Sequence, residues 1–158
     1  MAVATLTMSS CGDDFLLISP VGSVSESTLL TPEGVDMVLN AAYATLYAPG
    51  RDYFATPFSN YAYGDVFGGD ANKGSEAADQ SSFTEIETYS FNSSNQYLRS
   101  KWRYLYDGIK NANNVQHMAT LAEDKLTPES YTQIMAQAAF LRGLYHFETA
   151  KQFGAAVP

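Results

Sequence analysis

The side chains with the most chemistry to offer gather in a polar, glycine-rich stretch in the middle of the chain. Residues 51–94 hold Asp65, Asp70, Glu76 and Asp79, the amides Asn72 and Gln80, and the rings of Tyr53, Phe54, Phe58, Tyr61, Tyr63 and Phe67. Glycoside hydrolysis needs a pair of positioned carboxylates, but acids in a solvated loop ordinarily stay solvated. The mixture suits sugar binding better. Aromatic faces stack on the apolar C–H side of a pyranose, while carboxylates and amides make paired hydrogen bonds to neighbouring hydroxyls. Asp65, Asp70, Asn72, Gln80 and the downstream Tyr97 are the ligand-binding candidates, and each serves equally well simply to fold the loop. No catalytic residue, metal site or cofactor site stands out. Gly64-Asp65-Val66-Phe67-Gly68-Gly69-Asp70 lacks the Gly-Lys-Ser/Thr of a phosphate loop and does not fit a calcium loop. His117 and His146 have no ligand-like neighbours and read as packing or surface residues.

Cys11 is the second reactive group. A lone cysteine excludes an internal disulfide and a multi-cysteine zinc site. It follows Met8-Ser9-Ser10, behind a small, apolar, uncharged stretch. That order resembles a bacterial lipobox, in which the cysteine is acylated and becomes the new N-terminus. The basic start of a secretory signal is missing, so residues 1–10 read as a truncated signal peptide. Asp13 and Asp14 make burial of the following segment costly, which suits a tether. No stretch approaches the ~20 apolar residues of a membrane-spanning helix.

Composition narrows the partners. The 158 residues carry a net charge of −8 and no Lys/Arg cluster. Phosphate neutralisation needs a basic face, so nucleic acid is not an expected partner. The same sign argues against electrostatic attachment to anionic lipid.

The elements that must position these groups are helices. Residues 11–30, with Pro20 and Gly22, read as an extended arm anchored by Phe15, Leu16, Leu17 and Ile18. Thr31-Pro32-Glu33 starts a helix: Thr caps, Pro suits the first turn, and Glu complements the positive end of the dipole. Val35, Val38, Leu39, Ala42 and Leu46 continue it at helical spacing until Pro49-Gly50. No helical period is visible through 51–94, which reads as a long ordered loop. A second helix is expected from about Leu98 to Met118, with Leu98, Trp102, Leu105, Ile109 and Ala112 as its buried stripe. Thr127-Pro128-Glu129 starts a third, which Gly154 stops. Its Ile134, Ala138, Leu141 and Tyr145 mark one apolar face, and Phe140, Leu144 and Phe147 mark another. A helix apolar on two faces expects neighbours on both, so the core reads as unfinished.

Four segments occur in an order that resembles the SusD/RagB family of outer-membrane nutrient-binding lipoproteins. They are Cys11-Gly12-Asp13-Asp14-Phe15-Leu16 with Pro20, Gly64-Asp65 through Asp70-Ala71-Asn72-Lys73-Gly74, and Trp102-Arg103-Tyr104-Leu105-Tyr106-Asp107-Gly108-Ile109 with Ala112-Asn113. The last is Ala138-Ala139-Phe140-Leu141-Arg142-Gly143-Leu144-Tyr145-His146-Phe147 with Phe153-Gly154 and Val157-Pro158. Gln137 stands where the family usually has Glu, and Arg142 reads as a structural residue. The resemblance implies a mostly α fold of tetratricopeptide-like helix pairs, a SusD-like α-α superhelix, with a long irregular loop insertion. It implies that residues 31–158 are the N-terminal part of a longer helical domain, behind a lipid-anchored arm over 11–30. It also implies surface display on the outer membrane, a TonB-dependent SusC-like transporter as partner, and binding of a glycan or other nutrient without catalysis. Two other readings stay open: a tetratricopeptide-like scaffold for proteins or peptides, and a glycan-hydrolysing enzyme.

Overall fold

A computed structural model describes residues 25–47, 53–76 and 78–154. The signal segment, Cys11, most of the arm, Pro49-Gly50 and Val157-Pro158 lie outside those residues. Five α-helices occur among the described residues: α1 (Glu26–Leu29), α2 (Pro32–Ala44), α3 (Ser81–Glu87), α4 (Gln96–Leu121) and α5 (Pro128–Phe153). The fold is mostly α, and no strand occurs among the described residues.

The Thr-Pro-Glu starts behave as their chemistry requires. Thr31 Oγ1 accepts from Gly34 N at 3.1 Å, and Thr127 Oγ1 accepts from Ser130 N at 3.1 Å. The α2 helix ends at Ala44, short of Pro49-Gly50, because Thr45 Oγ1 bonds back to Ala41 O (3.0 Å) and the chain tightens into three-residue turns at Leu46 and Tyr47. The α4 helix starts before the expected Leu98, since Asn95 Oδ1 caps Tyr97 N and Leu98 N. The arm, expected to be extended to residue 30, closes with the single helical turn of α1.

Helices α4 and α5 form an antiparallel pair. Trp102 meets Phe153, Gly108 meets Tyr145, and Asn113 and Gln116 accept from Arg142, so position rises on one helix as it falls on the other. Arg142 is therefore the structural residue expected of it. The closest approach is at Gly108, where a methyl carbon would lie 2.3–2.5 Å from the Tyr145 ring. Only a residue without Cβ admits that ring. Tyr145 is fully buried, and its hydroxyl donates to Ala42 O at 3.0 Å, joining α5 to α2. Val35, Leu39, Leu105, Ile109, Ile134 and Leu141 fill the space between the three helices.

The α5 helix buries one expected face and leaves the other open. Ile134, Ala138, Leu141 and Tyr145 are at most 4% exposed, whereas Phe140 and Phe147 are 63% and 62% exposed. On α4 the expected stripe is partly wrong. Leu105, Ile109 and Ala112 are buried, but Trp102 is 42% exposed, and Tyr97, Lys101 and Tyr104 are buried instead. The insert covers one side of the N-terminal half of α4, where Tyr97, Lys101 and Tyr104 are buried, while Trp102 meets α5, so helical spacing alone could not mark the whole buried face.

The insert is more ordered than a long loop. It contains a 3-10 turn over Tyr53–Ala55, a π-helix over Tyr61–Val66 and α3. These pieces are too short, and the π turn too wide, to leave an α-helical period in the sequence. Rings hold them together. Phe54, Tyr61, Phe83 and Tyr97 pack with centroids 5.3–6.3 Å apart, mostly edge to face. Asn95 ties α3 to α4, its Nδ2 donating to Ser82 O (2.7 Å) and Glu85 Oε2 (2.8 Å).

Lys101 fastens the insert to the helices. Its side chain is fully buried, and Nζ donates to Thr56 O, Pro57 O and Ser59 O at 2.7, 2.8 and 2.9 Å. Nζ also lies 5.2 Å from the centre of the Tyr63 ring. Burial pulls its pKa down to about 8, against the opposing pull of Glu148.

Candidate functional site

The loop after the π-helix and the end of α3 enclose an open cleft of about 660 Å³. Two left-handed glycines shape its floor: Gly69 (φ +82°) and Gly74 (φ +75°) turn the chain where a side chain would strain it. Asn72 Oδ1 accepts from Gly74 N at 2.9 Å, and Asn72 O accepts from Tyr61 OH at 2.6 Å. The backbone of Asp70 folds back on the π-helix, its N–H reaching Asp65 O at 2.9 Å. Lys73 Nζ, bonded to Asp79 O and to Thr84 Oγ1, ties the far side of the loop to α3.

Asp70, Asn72, Glu87, Tyr61 and Tyr89 line this cleft. Tyr89 is its platform. The residue is 61% exposed yet fixed, because its hydroxyl donates to Phe67 O at 2.6 Å and its ring lies 5.2 Å from that of Phe67. Its backbone is left-handed (φ +56°), a conformation that costs a non-glycine residue about 1 kcal/mol. Strain of this kind persists only where the surroundings over-determine it. Two carboxylates accept hydrogen bonds, the Asn72 amide keeps its Nδ2 as a donor, and two rings offer apolar faces. Such a set suits a neutral, polyhydroxylated ligand. No group of three or more His, Cys, Asp or Glu side chains able to hold a metal occurs among the described residues.

Of the five candidates read from the sequence, Asp70 and Asn72 come together here. Asp65 is exposed on the π-helix but does not line the cleft. Gln80 and Tyr97 face elsewhere: Tyr97 is 3% exposed and donates its hydroxyl to Gln80 Oε1 beneath the ring cluster. Both hold the insert together. Sequence reasoning named Tyr61 only among the rings of the loop and missed Glu87 and Tyr89 as lining residues. Glu87 and Tyr89 enter the cleft because α3 ends at Glu87 and the chain reverses at Tyr89, which no periodicity signals.

Residues 14–158 match the family model of SusD-like proteins, described as starch-binding and associating with the outer membrane. The chain belongs to the SusD-like family. Neither a curated protein nor a solved structure matches it. SusD-like membership links the chain to starch or glycan binding at the outer membrane and agrees with its all-helical elements. In this SusD-like chain the long helices form the frame, and the irregular insert carries the cleft.

Proposed function

We propose that this protein binds a glycan in the Asp70–Tyr89 cleft, without catalysis, and passes it to a TonB-dependent SusC-like transporter. The observation that carries the reading is the juxtaposition of Asp70, Asn72 and Glu87 with the Tyr61 and Tyr89 rings. Family membership supports starch or a related glycan as the ligand. The anchor in this reading is Cys11: residues 1–10 are removed as a signal, the cysteine is acylated, and residues 11–30 tether a helical domain that begins at residue 31. The protein is then held on the outer-membrane surface beside its transporter.

Isothermal titration of the full-length protein with maltoheptaose tests the ligand. Saturable heat is expected, weakened roughly tenfold or more by Asp70→Ala or Tyr89→Ala, as loss of about 1.4 kcal/mol requires. Chromatography of the incubated sugar should return it intact. Binding of peptides but of no glycan on an array would favour the scaffold reading. Cleaved sugar, with cleavage lost in Asp70→Asn, would favour an enzyme. Mass spectrometry of the membrane-extracted N-terminus checks the anchor, and an unmodified Met1 would refute it.

A further inference from the structure

A shallow groove of about 260 Å³ runs between α2 and α4 beside the end of α1. Leu29, Met37, Val38 and Ala41 form its apolar side, and Asn111 and Asn114 form the polar side. The fold leaves the apolar side open. Leu29 and Val38 are only partly covered by the core beneath them, Ala41 is exposed, and Met37 is 62% exposed. The polar side suits a main chain. Asn111 Nδ2 donates to Thr45 Oγ1 at 2.8 Å, which fixes that side chain, and Asn114 is exposed. A side-chain amide both donates and accepts, as an extended backbone requires. The volume is below the ~300 Å³ at which ordinary ligand pockets begin. It takes a few aliphatic side chains on a strand.

The described chain starts at the mouth of this groove. Glu26 lies 3.9 Å from His117, which is one helical turn beyond Asn114, and α1 delivers Leu29 into the groove itself. Upstream in the sequence stands the apolar run Phe15-Leu16-Leu17-Ile18. Residues 19–24 join that run to Ser25 and span up to ~23 Å when extended. Asn111 and His117 are only ~9 Å apart along α4. The run therefore reaches the groove with slack for a turn at Pro20 and Gly22. The charges agree as well. Asp13 and Asp14 precede the run, and Lys110 is exposed one turn before Asn114, at the end of the groove away from α1. We propose that this groove is the docking site of the chain's own N-terminal arm, with residues 15–18 lying along Met37 and their main chain held by Asn111 and Asn114. Alternate side chains of an extended segment share one side, so two of the four enter the groove. The docking does not depend on acylation of Cys11. One consequence does rest on the anchored reading above: the free tether shrinks to the stretch from Cys11 to Phe15, about 14 Å when extended.

Cross-linking tests the placement. The full-length protein with Cys11→Ser, which removes its single cysteine, receives Ile18→Cys and Met37→Cys. Docking raises the local concentration of the two thiols, so under mild oxidation an intramolecular disulfide should form roughly tenfold faster than in the pair Ile18→Cys and Phe140→Cys. Phe140 is the control because it is exposed on the open face of α5. Equal rates in the two pairs would overturn the docking, since the arm would then have no preferred place. A disulfide formed mainly between chains would overturn it in favour of a second copy. Methionine oxidation tests the same contact without new cysteines. Peroxide turns accessible methionine into the sulfoxide, and replacing residues 15–18 together by serine should speed Met37 oxidation roughly threefold as its cover is lost. Met118, 2% exposed in the core, reports that the fold is intact. A Met37 rate unchanged by the replacement, with Met118 still protected, would also overturn the docking. Neither result depends on glycan binding or on the anchor.

Discussion

The three long helices and the insert between Tyr53 and Ser94 are held together by different forces. Between α2, α4 and α5 the contacts are aliphatic and close, with Val35, Leu105 and Leu141 fully buried and the Tyr145 ring set against bare backbone at Gly108. The insert has a smaller core around Ala62, Val66, Phe83, Ile86 and Tyr97. It depends on tilted rings and on side chains that reach backbone carbonyls, above all Lys101. A close-packed region resists change everywhere. A region fastened by a few polar bonds is rigid at those points and free to vary between them. The cleft residues belong to the second kind, which is where variation in ligand is cheapest to obtain.

The contrast predicts where substitutions hurt. Gly108→Val drives a branched side chain into the Tyr145 ring and should cost about 3 kcal/mol or more. Loss should be global, read as one cooperative urea transition moved to lower concentration; a transition confined to the insert would contradict the division. Lys101→Met leaves the carbonyls of Thr56, Pro57 and Ser59 without their donor and should cost about 2 kcal/mol. Its damage should be local, with faster amide exchange over residues 53–67 and unchanged protection in α5. Uniform loss of protection would show that the insert and the helices are one cooperative unit.

The pH dependence sharpens the same contrast. Folding lowers the Lys101 pKa from 10.5 to about 8. Between those values the unfolded chain holds a proton the folded chain has released, so stability rises with pH across that window. Burial raises the Tyr145 pKa above its ordinary 10.0. Above pH 10 the folded chain keeps a proton the unfolded one loses, and stability falls. Thermal melts should therefore rise from pH 8 toward 10 and then decline, with the rise absent in Lys101→Met. A rise that survives that substitution would assign it to another group. The smallest effect belongs to the caps. Thr127→Ala should cost about 1 kcal/mol, seen as fraying of the first turn of α5 by amide exchange.

The helical frame was legible in the sequence to the extent that local rules govern it. Thr31 and Thr127 cap as read, Gly154 stops α5, and the two-faced pattern of α5 appears as one buried face and one exposed one. The insert was legible only in composition. Its aromatic and acidic content pointed to order and to sugar-like chemistry, and Asp70 and Asn72 do meet in the cleft. Tyr97 and Gln80 did not, because their bond depends on a fold-back of α3 onto α4 that Asn95 secures. Lys101 was invisible for the same reason. A charged residue on a helix reads as exposed until three carbonyls from a distant turn are brought to it.

Gly34 gives the frame a mechanical property. A methyl carbon there would fall 2.3 Å from Leu29 O, so α1 crosses α2 in direct backbone contact. Lys125 Nζ holds Leu30 O at 2.8 Å just beyond the crossing. The α1 turn has no buried residue of its own, but Leu29 at its end packs against the core of the three long helices and Glu26 lies 3.9 Å from His117 on α4. The helical frame therefore takes up the chain at a fixed point, where backbone lies on backbone, and not through a buried side chain of α1.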